Sequence, residues 1–178
     1  MQINKNDKLV TKSIDTVTNF VVKYMLEHDI TVCTAESCTG GMVSELITSV
    51  AGASGIFKGG VCSYTEEIKQ KILGVQKETL DKYTVYSPQV AIEMSEGAQK
   101  LFNADAAIGI TGIAGPGSVG GKPAGTVYVS VRYKNKQTVK DLKIYELCSE
   151  PDRETVRRTA SVLALEMLLD ICKAEQKG

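Results

Sequence analysis

Apolar residues recur every three or four positions in several segments of the chain, the pattern of a helix that buries one face. This spacing predicts helices over 13–27, 39–49, 65–73 and 87–102, and a last helix that opens near Pro151. Ser87 and Pro88 mark one of these starts clearly, because serine is a favoured N-cap residue and proline suits the first helical turn.

Short β-branched or alternating runs lie between the helices. They predict strands over 31–35, 59–64, 104–110, 125–133 and 138–147. The early strands are separated by helices, and the last two are joined as a hairpin. This order predicts an α/β fold, namely a three-layer α/β/α sandwich with a five-stranded mixed sheet. The length of 178 residues fits one domain, which we take as 1–178.

Charge and composition restrict the partners. Lys+Arg and Asp+Glu number 21 each, so no net field attracts nucleic acid or a membrane, and an anion must be bound by a few placed donors. The apolar runs are strand-sized, so we expect no transmembrane helix, and residues 1–12 carry no signal-peptide core. The five scattered cysteines include no C-x-x-C pair and predict reduced, mostly buried thiols in a cytoplasmic protein.

The one histidine limits the chemistry further. A histidine-rich metal site is excluded within one chain, and a Ser-His-Asp triad would depend on His28 alone. His28 lies in a polar stretch that ends the first predicted helix, which favours a solvated residue. We therefore expect no metal site and, if the protein is a hydrolase, a base other than histidine.

The first candidate for chemistry is T-A-E-S-C-T-G-G at 34–41, which predicts a strand-to-helix turn. Ser37, just before the helix, could attack an amide carbonyl with backbone N–H groups near for the oxyanion. Gly40 and Gly41 let a substrate approach the backbone closely. A plain N-cap serine followed by a glycine turn is the simpler interpretation, and Cys38 is a rival nucleophile.

The second candidate is Y-T-E-E-I-K at 64–69, where a strand end leads into a helix. Tyr64 and Lys69 could project into one site, because the chain turns between them. A lysine removed from water has a lowered pKa and can act as a base toward serine, while a tyrosine hydroxyl can relay the proton. The neighbouring charges equally fit a solvated helix face, so both interpretations stay open.

The third candidate is the glycine-dense segment 109–125, whose N–H groups could surround a phosphate or carboxylate. It is not a P-loop, because proline replaces the first glycine and a second proline follows the lysine. Lys122, and Arg153 or Arg157 at the start of the last helix, could add charge-assisted contacts to a phosphate. A mobile surface loop and solvated arginines are the alternatives.

Seven motifs in these and neighbouring segments occur in the order and spacing typical of one protein family, and together they extend over nearly the whole chain. They are A-E-S-C-T-G-G at 35–41, A-G-A-S at 51–54, G-G-V-C-S-Y at 59–64, L-G-V at 73–75, V-Y-S at 85–87, T-G-I-A-G-P at 111–116 and K-P-A-G-T-V at 122–127. The sequence thereby resembles the CinA C-terminal domain family, whose stand-alone members include nicotinamide mononucleotide deamidases of the PncC type.

The resemblance implies hydrolysis of nicotinamide mononucleotide to nicotinate mononucleotide and ammonia, with no cofactor and no metal. It places the catalytic serine, tyrosine and lysine of the family on Ser37, Tyr64 and Lys69, the last two deprotonating the first. The substrate-binding residues it implies are Thr39, Gly40, Gly41, Thr111, Gly112, Ala114, Gly115 and Arg153. The expected partner is this small nucleotide, and a homo-oligomer is the usual state of small enzymes.

Departures from the family pattern border the expected substrate site. Glu66 stands where asparagine is common, the glycine loop is slightly shorter, and Pro151 replaces a common glycine. The alternatives are a binding or regulatory relative without turnover, an amidase for another carboxamide, and a protein that acts through nucleic acid. Seven tyrosines, three phenylalanines and zero net charge provide no basic stacking platform for the last of these.

Overall fold

The computed structural model describes the backbone of residues 5–148 and 151–176, and the side chains of residues 14–148 and 151–176. The helices in these ranges are α1 (Lys5–Glu27), α2 (Met42–Thr48), α3 (Glu66–Leu73), α4 (Lys77–Tyr83), α5 (Pro88–Phe102), α6 (Ile144–Leu147) and α7 (Arg153–Gln176). The strands are β1 (Val32–Glu36), β2 (Phe57–Cys62), β3 (Ala106–Gly112), β4 (Ser118–Val119), β5 (Lys122–Pro123), β6 (Val127–Tyr133) and β7 (Lys136–Asp141). Among these helices, none has the length and apolar character needed to cross a membrane.

Five strands form one mixed sheet in the order β2, β1, β3, β6, β7. β1 runs parallel to both of its neighbours, β2 and β3, while β6 is antiparallel to β3 and β7. The short strands β4 and β5 pair separately as a small antiparallel ribbon. The predicted five-stranded mixed sheet is therefore confirmed.

Helices cover both faces of this sheet. On one face α5 packs against β1, β3 and β6, with α3 and α4 beside it, and on the other α7 packs against β3 and β6, with α1 and α2 beside it. Every residue of β1 and β3 is buried, which explains their nearly continuous apolar sequence. The predicted three-layer α/β/α sandwich is confirmed.

The predicted strand over 138–147 is wrong beyond Asp141. There the chain leaves the sheet and turns at Lys143, whose φ is 44°, into the short helix α6. Ile144 continues the apolar pattern because it is buried below this turn, where its N–H donates to the Gly125 carbonyl. The helix α4 and the β4–β5 ribbon were not predicted at all.

Gly97 lies where α5 crosses the end of α3. A Cβ on Gly97 would be 1.9 Å from the Leu73 carbonyl oxygen, so the two helices can approach only without it. Alanine normally stabilises a helix interior relative to glycine, but here we expect Gly97→Ala to lower the free energy of unfolding by about 1–3 kcal/mol. Urea denaturation measures this, with the exposed Lys100→Ala of the same helix as control. An unchanged or higher midpoint for Gly97→Ala would contradict the packing.

Candidate active site

The carboxyl ends of β1, β2 and β3 meet at one edge of the sheet, and chemically competent residues follow them directly. Ser37 comes after β1, and Ser63 follows β2. Backbone hydrogen bonds join these ends, since the Ser37 N–H donates to the Ile110 carbonyl and the Ser63 N–H donates to the Glu36 carbonyl. Loops at the carboxyl ends of strands are where α/β sheets commonly bind their ligands.

Lys69 extends from α3 to this serine. The helix begins there because the Thr65 hydroxyl accepts the Ile68 N–H as an N-cap. Lys69 Nζ lies 2.9 Å from Ser37 Oγ and also donates to the Ser63 carbonyl. Lys69 is fully buried and Ser37 is 7% exposed, so the solvated-face interpretation of Lys69 is wrong. A buried amine in contact with a serine hydroxyl is placed to exchange a proton with it.

Burial changes the proton affinity of the Lys69 amine. It lowers the pKa of Lys69 from 10.5 to about 8, although the negative charge of Glu66 acts in the opposite direction. An amine with this pKa can lose its proton close to neutral pH. Lys69 therefore has both the position and the proton affinity of a general base.

Glu36, the last residue of β1, organises the turn that carries the serine. Its buried carboxylate accepts hydrogen bonds from the N–H groups of Gly41, Val43 and Ser44 at 2.8–3.0 Å, and from the Ser44 hydroxyl at 2.7 Å. These amides open α2, which begins at Met42 rather than at the predicted residue 39. The N-terminus of α2 is thus occupied by a carboxylate of the protein, and the Gly41 N–H is already bonded.

Tyr64 and Arg153 form a second unit of the site. The Tyr64 side chain is 62% exposed, and its hydroxyl accepts a hydrogen bond of 2.7 Å from the Arg153 guanidinium. Arg153 also donates to the Gly115 carbonyl at 2.9 Å. The structure therefore couples Tyr64 to Arg153 and the glycine-rich loop, whereas Lys69 is the side chain hydrogen-bonded to Ser37.

A pocket of about 160 Å³ lies between the turn at residues 37–41, here called the serine turn, and the glycine-rich loop in segment 109–125. Its lining residues are Cys38, Tyr64, Tyr86, Gly112, Ile113, Ala114, Gly115, Pro116, Val119 and Arg153. This lining contains one arginine and no carboxylate, a combination that favours an anionic ligand. Gly115 has a φ of 91°, a conformation that strongly favours glycine at the bend of the loop.

The other expected binding residues have partners within the protein. The Thr111 hydroxyl donates to the Val85 carbonyl at 2.9 Å. The Thr39 carbonyl accepts two hydrogen bonds, of 2.8 and 3.1 Å, from the Arg157 guanidinium, and Gly40 lies beside the same group. Arg157 thereby ties α7 to the serine turn.

Three further candidates take other roles. Burial raises the pKa of the Cys38 thiol to about 12, so this rival nucleophile stays protonated. His28 is exposed at the end of α1, with its ring nitrogen bonded to the Tyr24 carbonyl. Lys122 Nζ donates to the Tyr86 carbonyl at 2.6 Å and so fastens the β4–β5 ribbon to the pocket wall. In the part of the chain that is described, no cluster of His, Cys, Asp and Glu could hold a metal ion.

Known proteins are similar in sequence to this chain over most of its length. A family model for the CinA C-terminal domain matches residues 14–172. The chain belongs to the CinA C-terminal domain family. CinA-like proteins from Thermotoga neapolitana and Kosmotoga olearia are 45% and 40% identical to it over 149 and 155 residues. These matches cover 83% and 86% of this CinA C-terminal domain chain but 35% and 36% of the relatives, so it spans about a third of their length.

Solved structures of CinA proteins have the same fold. The competence/damage inducible protein CihA from Agrobacterium tumefaciens is 32% identical, with a TM-score of 0.83 over 88% of this chain and 94% of that one. A competence-damaged protein (CinA) superfamily protein from Escherichia coli is 30% identical, with a TM-score of 0.83 over 96% of this chain and 94% of that one. The sandwich described above is thus the CinA C-terminal domain fold.

Proposed function

We propose that this CinA C-terminal domain protein is a metal-independent serine amidohydrolase that converts nicotinamide mononucleotide and water to nicotinate mononucleotide and ammonia. The observation that carries the proposal is the buried contact of 2.9 Å between Lys69 Nζ and Ser37 Oγ. It supplies a nucleophile and a base in a chain whose one histidine, His28, is bonded elsewhere. The resemblance to the nucleotide deamidases supplies the choice of substrate.

The reaction begins with the neutral amine of Lys69. It takes the hydroxyl proton of Ser37 as Oγ bonds to the carboxamide carbon and forms a tetrahedral intermediate. The C–N bond then breaks, the nitrogen takes the proton from the Lys69 ammonium, and ammonia leaves. Water attacks the acyl-serine ester with Lys69 again accepting a proton, which returns to Ser37 Oγ as the carboxylic acid product departs. The acid then loses its proton to solvent and becomes nicotinate mononucleotide.

The Ser63 carbonyl has a defined part in this cycle. It accepts one N–H of the Lys69 amine, while the same amine contacts Ser37 Oγ. With one N–H held in this way, the amine is oriented with respect to the serine hydroxyl. This restriction keeps the proton acceptor and the nucleophile in reacting geometry.

The pocket supports an aromatic, negatively charged substrate. Tyr86 and Val119 provide apolar surface for a pyridine ring, and Arg153 provides the positive charge for a phosphate. Arg153 is bonded to Gly115 and Tyr64 in a lining that carries no carboxylate. A phosphate at this place would therefore meet no like charge among the lining residues.

Activity is expected to rise with pH. The base is the neutral Lys69 amine, and the pKa of this amine is about 8, so kcat/KM should increase about tenfold per pH unit below 8 and level off above it. Glu66 raises this pKa, so Glu66→Gln should move the midpoint to lower pH. The profile is measured from pH 6 to 10 with the fold monitored by circular dichroism. A flat profile between pH 7 and 9 would contradict Lys69 as the base.

The test of the proposed function is release of ammonia and nicotinate mononucleotide from nicotinamide mononucleotide by the purified protein. Nicotinamide and nicotinamide riboside, which lack the phosphate, are assayed beside it. Turnover of the mononucleotide in preference to these two is the expected result. Turnover of a different carboxamide alone would make the protein another amidase, and no turnover of any amide by folded protein would make it a binding module.

A further inference from the structure

We propose that the backbone N–H groups of Cys38 and Thr39 form the oxyanion-binding site of this enzyme, and that the Glu36 carboxylate holds them in place for it. The inference rests on the proposed function, because an oxyanion arises only if Ser37 attacks a carbonyl. It names the donors that stabilise the tetrahedral intermediate.

In the serine turn, the amides of Cys38 and Thr39 are the two that have no oxygen acceptor among the described residues. The N–H groups of Gly41, Val43 and Ser44 donate to the Glu36 carboxylate. The remaining amide bonds of the segment 37–45 are Ser37 to the Ile110 carbonyl, Gly40 to the Ser37 carbonyl, Met42 to the Thr39 carbonyl and Glu45 to the Gly41 carbonyl. Within the described residues, the N–H groups of Cys38 and Thr39 donate to no oxygen.

Burial makes these two amides unusual. Cys38 is 5% exposed and Thr39 is fully buried, and buried backbone N–H groups are nearly always hydrogen-bonded in folded proteins. The Thr39 hydroxyl is a further polar group in the same residue with no partner in the part of the chain described. Two amides without an oxygen acceptor and one unpartnered hydroxyl therefore lie immediately after the nucleophile, where a ligand oxygen would satisfy them.

Both amides act on the Cys38 thiol. As hydrogen-bond donors they lower its pKa, although its burial has the larger and opposite effect. Cys38 lines the pocket. A neutral thiol is a weak acceptor, so an anionic oxygen arriving from the pocket can take over both donors.

Contacts on both sides of the turn fix its shape before any substrate binds. Glu36 binds the start of α2, and Arg157 binds the Thr39 carbonyl through two N–H groups. With Thr39 held through its carbonyl, the N–H groups of Cys38 and Thr39 need no backbone rearrangement during the reaction. Donors that are already in place are those that lower a reaction barrier most.

Proline at position 38 removes one donor selectively. Cys38 is the second residue of the turn closed by the Gly40 N–H and the Ser37 carbonyl, a position that accepts proline well. Cys38→Ala, which loses the thiol and keeps the N–H, is the matched reference. We expect kcat of Cys38→Pro to fall about 10²–10³-fold below that of Cys38→Ala, with a smaller change in KM. Circular dichroism and binding of nicotinate mononucleotide show whether Cys38→Pro is folded.

Nuclear magnetic resonance on the unmutated chain tests the same donors even if Cys38→Pro does not fold. 3-Pyridylboronic acid is added to protein labelled with ¹⁵N-cysteine or ¹⁵N-threonine. Ser37 Oγ bonds to boron, its proton passes to Lys69, and the tetrahedral boronate carries the negative charge. The amide protons of Cys38 and Thr39 should move downfield, and Ser37→Ala should abolish the shift.

The outcomes separate this inference from the proposed function. If ¹¹B resonance shows the tetrahedral adduct but neither amide shifts, or if folded Cys38→Pro equals Cys38→Ala in kcat, the oxyanion donors lie elsewhere and the inference is wrong. If the protein forms no adduct and releases no ammonia from any amide, the proposed function itself has failed.

Discussion

Ser37→Ala is expected to lower kcat on nicotinamide mononucleotide by at least about 10³-fold while the protein stays folded. The hydroxyl is the nucleophile of the proposed reaction, and the neighbouring Cys38 thiol does not replace it, because burial holds this thiol protonated. Binding of the product nicotinate mononucleotide should be retained, since the serine hydroxyl contributes mainly to the chemical step. The measurement is initial-rate kinetics together with calorimetric binding.

Ser161→Ala is the matched control for Ser37→Ala. Ser161 is also buried, and its hydroxyl donates within α7 to the Arg157 carbonyl, so this variant loses a buried hydroxyl of comparable environment. It should keep its activity. Retention of more than a tenth of wild-type kcat by Ser37→Ala would exclude the acyl-serine pathway and favour direct attack by water.

Lys69→Met is expected to lower kcat by about 10²–10⁴-fold, the usual contribution of a general base. Methionine has nearly the length of lysine and fills the same buried space without an amine. The matched control is Lys71→Met in the same helix, where the lysine is exposed and the activity should remain. Activity of Lys69→Met close to that of Lys71→Met would show that another group deprotonates Ser37.

The same variant should also be at least as stable as the wild type. Burial lowers the pKa of Lys69 in the folded protein to about 8, against 10.5 for an ordinary lysine, so the folded state disfavours the charged amine. Between these two pKa values the unfolded chain binds more protons, and wild-type stability rises with pH there. The advantage of Lys69→Met should therefore be largest below pH 8 and decrease toward pH 10.5, which denaturation at several pH values measures.

The layers and the central sheet could be predicted from sequence, because a strand that is buried on both faces is a short run of mainly apolar residues. β1 and β3 are short apolar runs, and the Ser87 cap with Pro88 marks the start of α5. The end of β7 could not be predicted in this way. The alternation of apolar residues continues to Ile144, and the strand stops only because the chain turns to bond with Gly125.

Contacts between distant segments explain what else the sequence did not reveal. α4 is held by Glu93 of α5, whose carboxylate accepts the Gln76 N–H and the Thr79 hydroxyl. Nothing within the α4 sequence itself indicates that partner. Glu36 is similar, because an acidic residue at a strand end has no local pattern that marks it as the hydrogen-bond acceptor for a helix that begins six residues further on. The spacing of acid, serine and paired glycines was the available signal.

The carboxylate of Glu36 has a consequence for inhibition by simple salts. A helix N-terminus commonly attracts sulfate or phosphate from the buffer. The N–H groups at the start of α2 are already bonded to the Glu36 carboxylate, which is part of the chain and cannot be displaced as a buffer ion can. We expect inorganic phosphate that competes with the proposed nucleotide to bind at Arg153, which lines the pocket, because the Arg157 guanidinium already donates to the Thr39 carbonyl. The inhibition constant of phosphate should therefore rise when Arg153 is substituted.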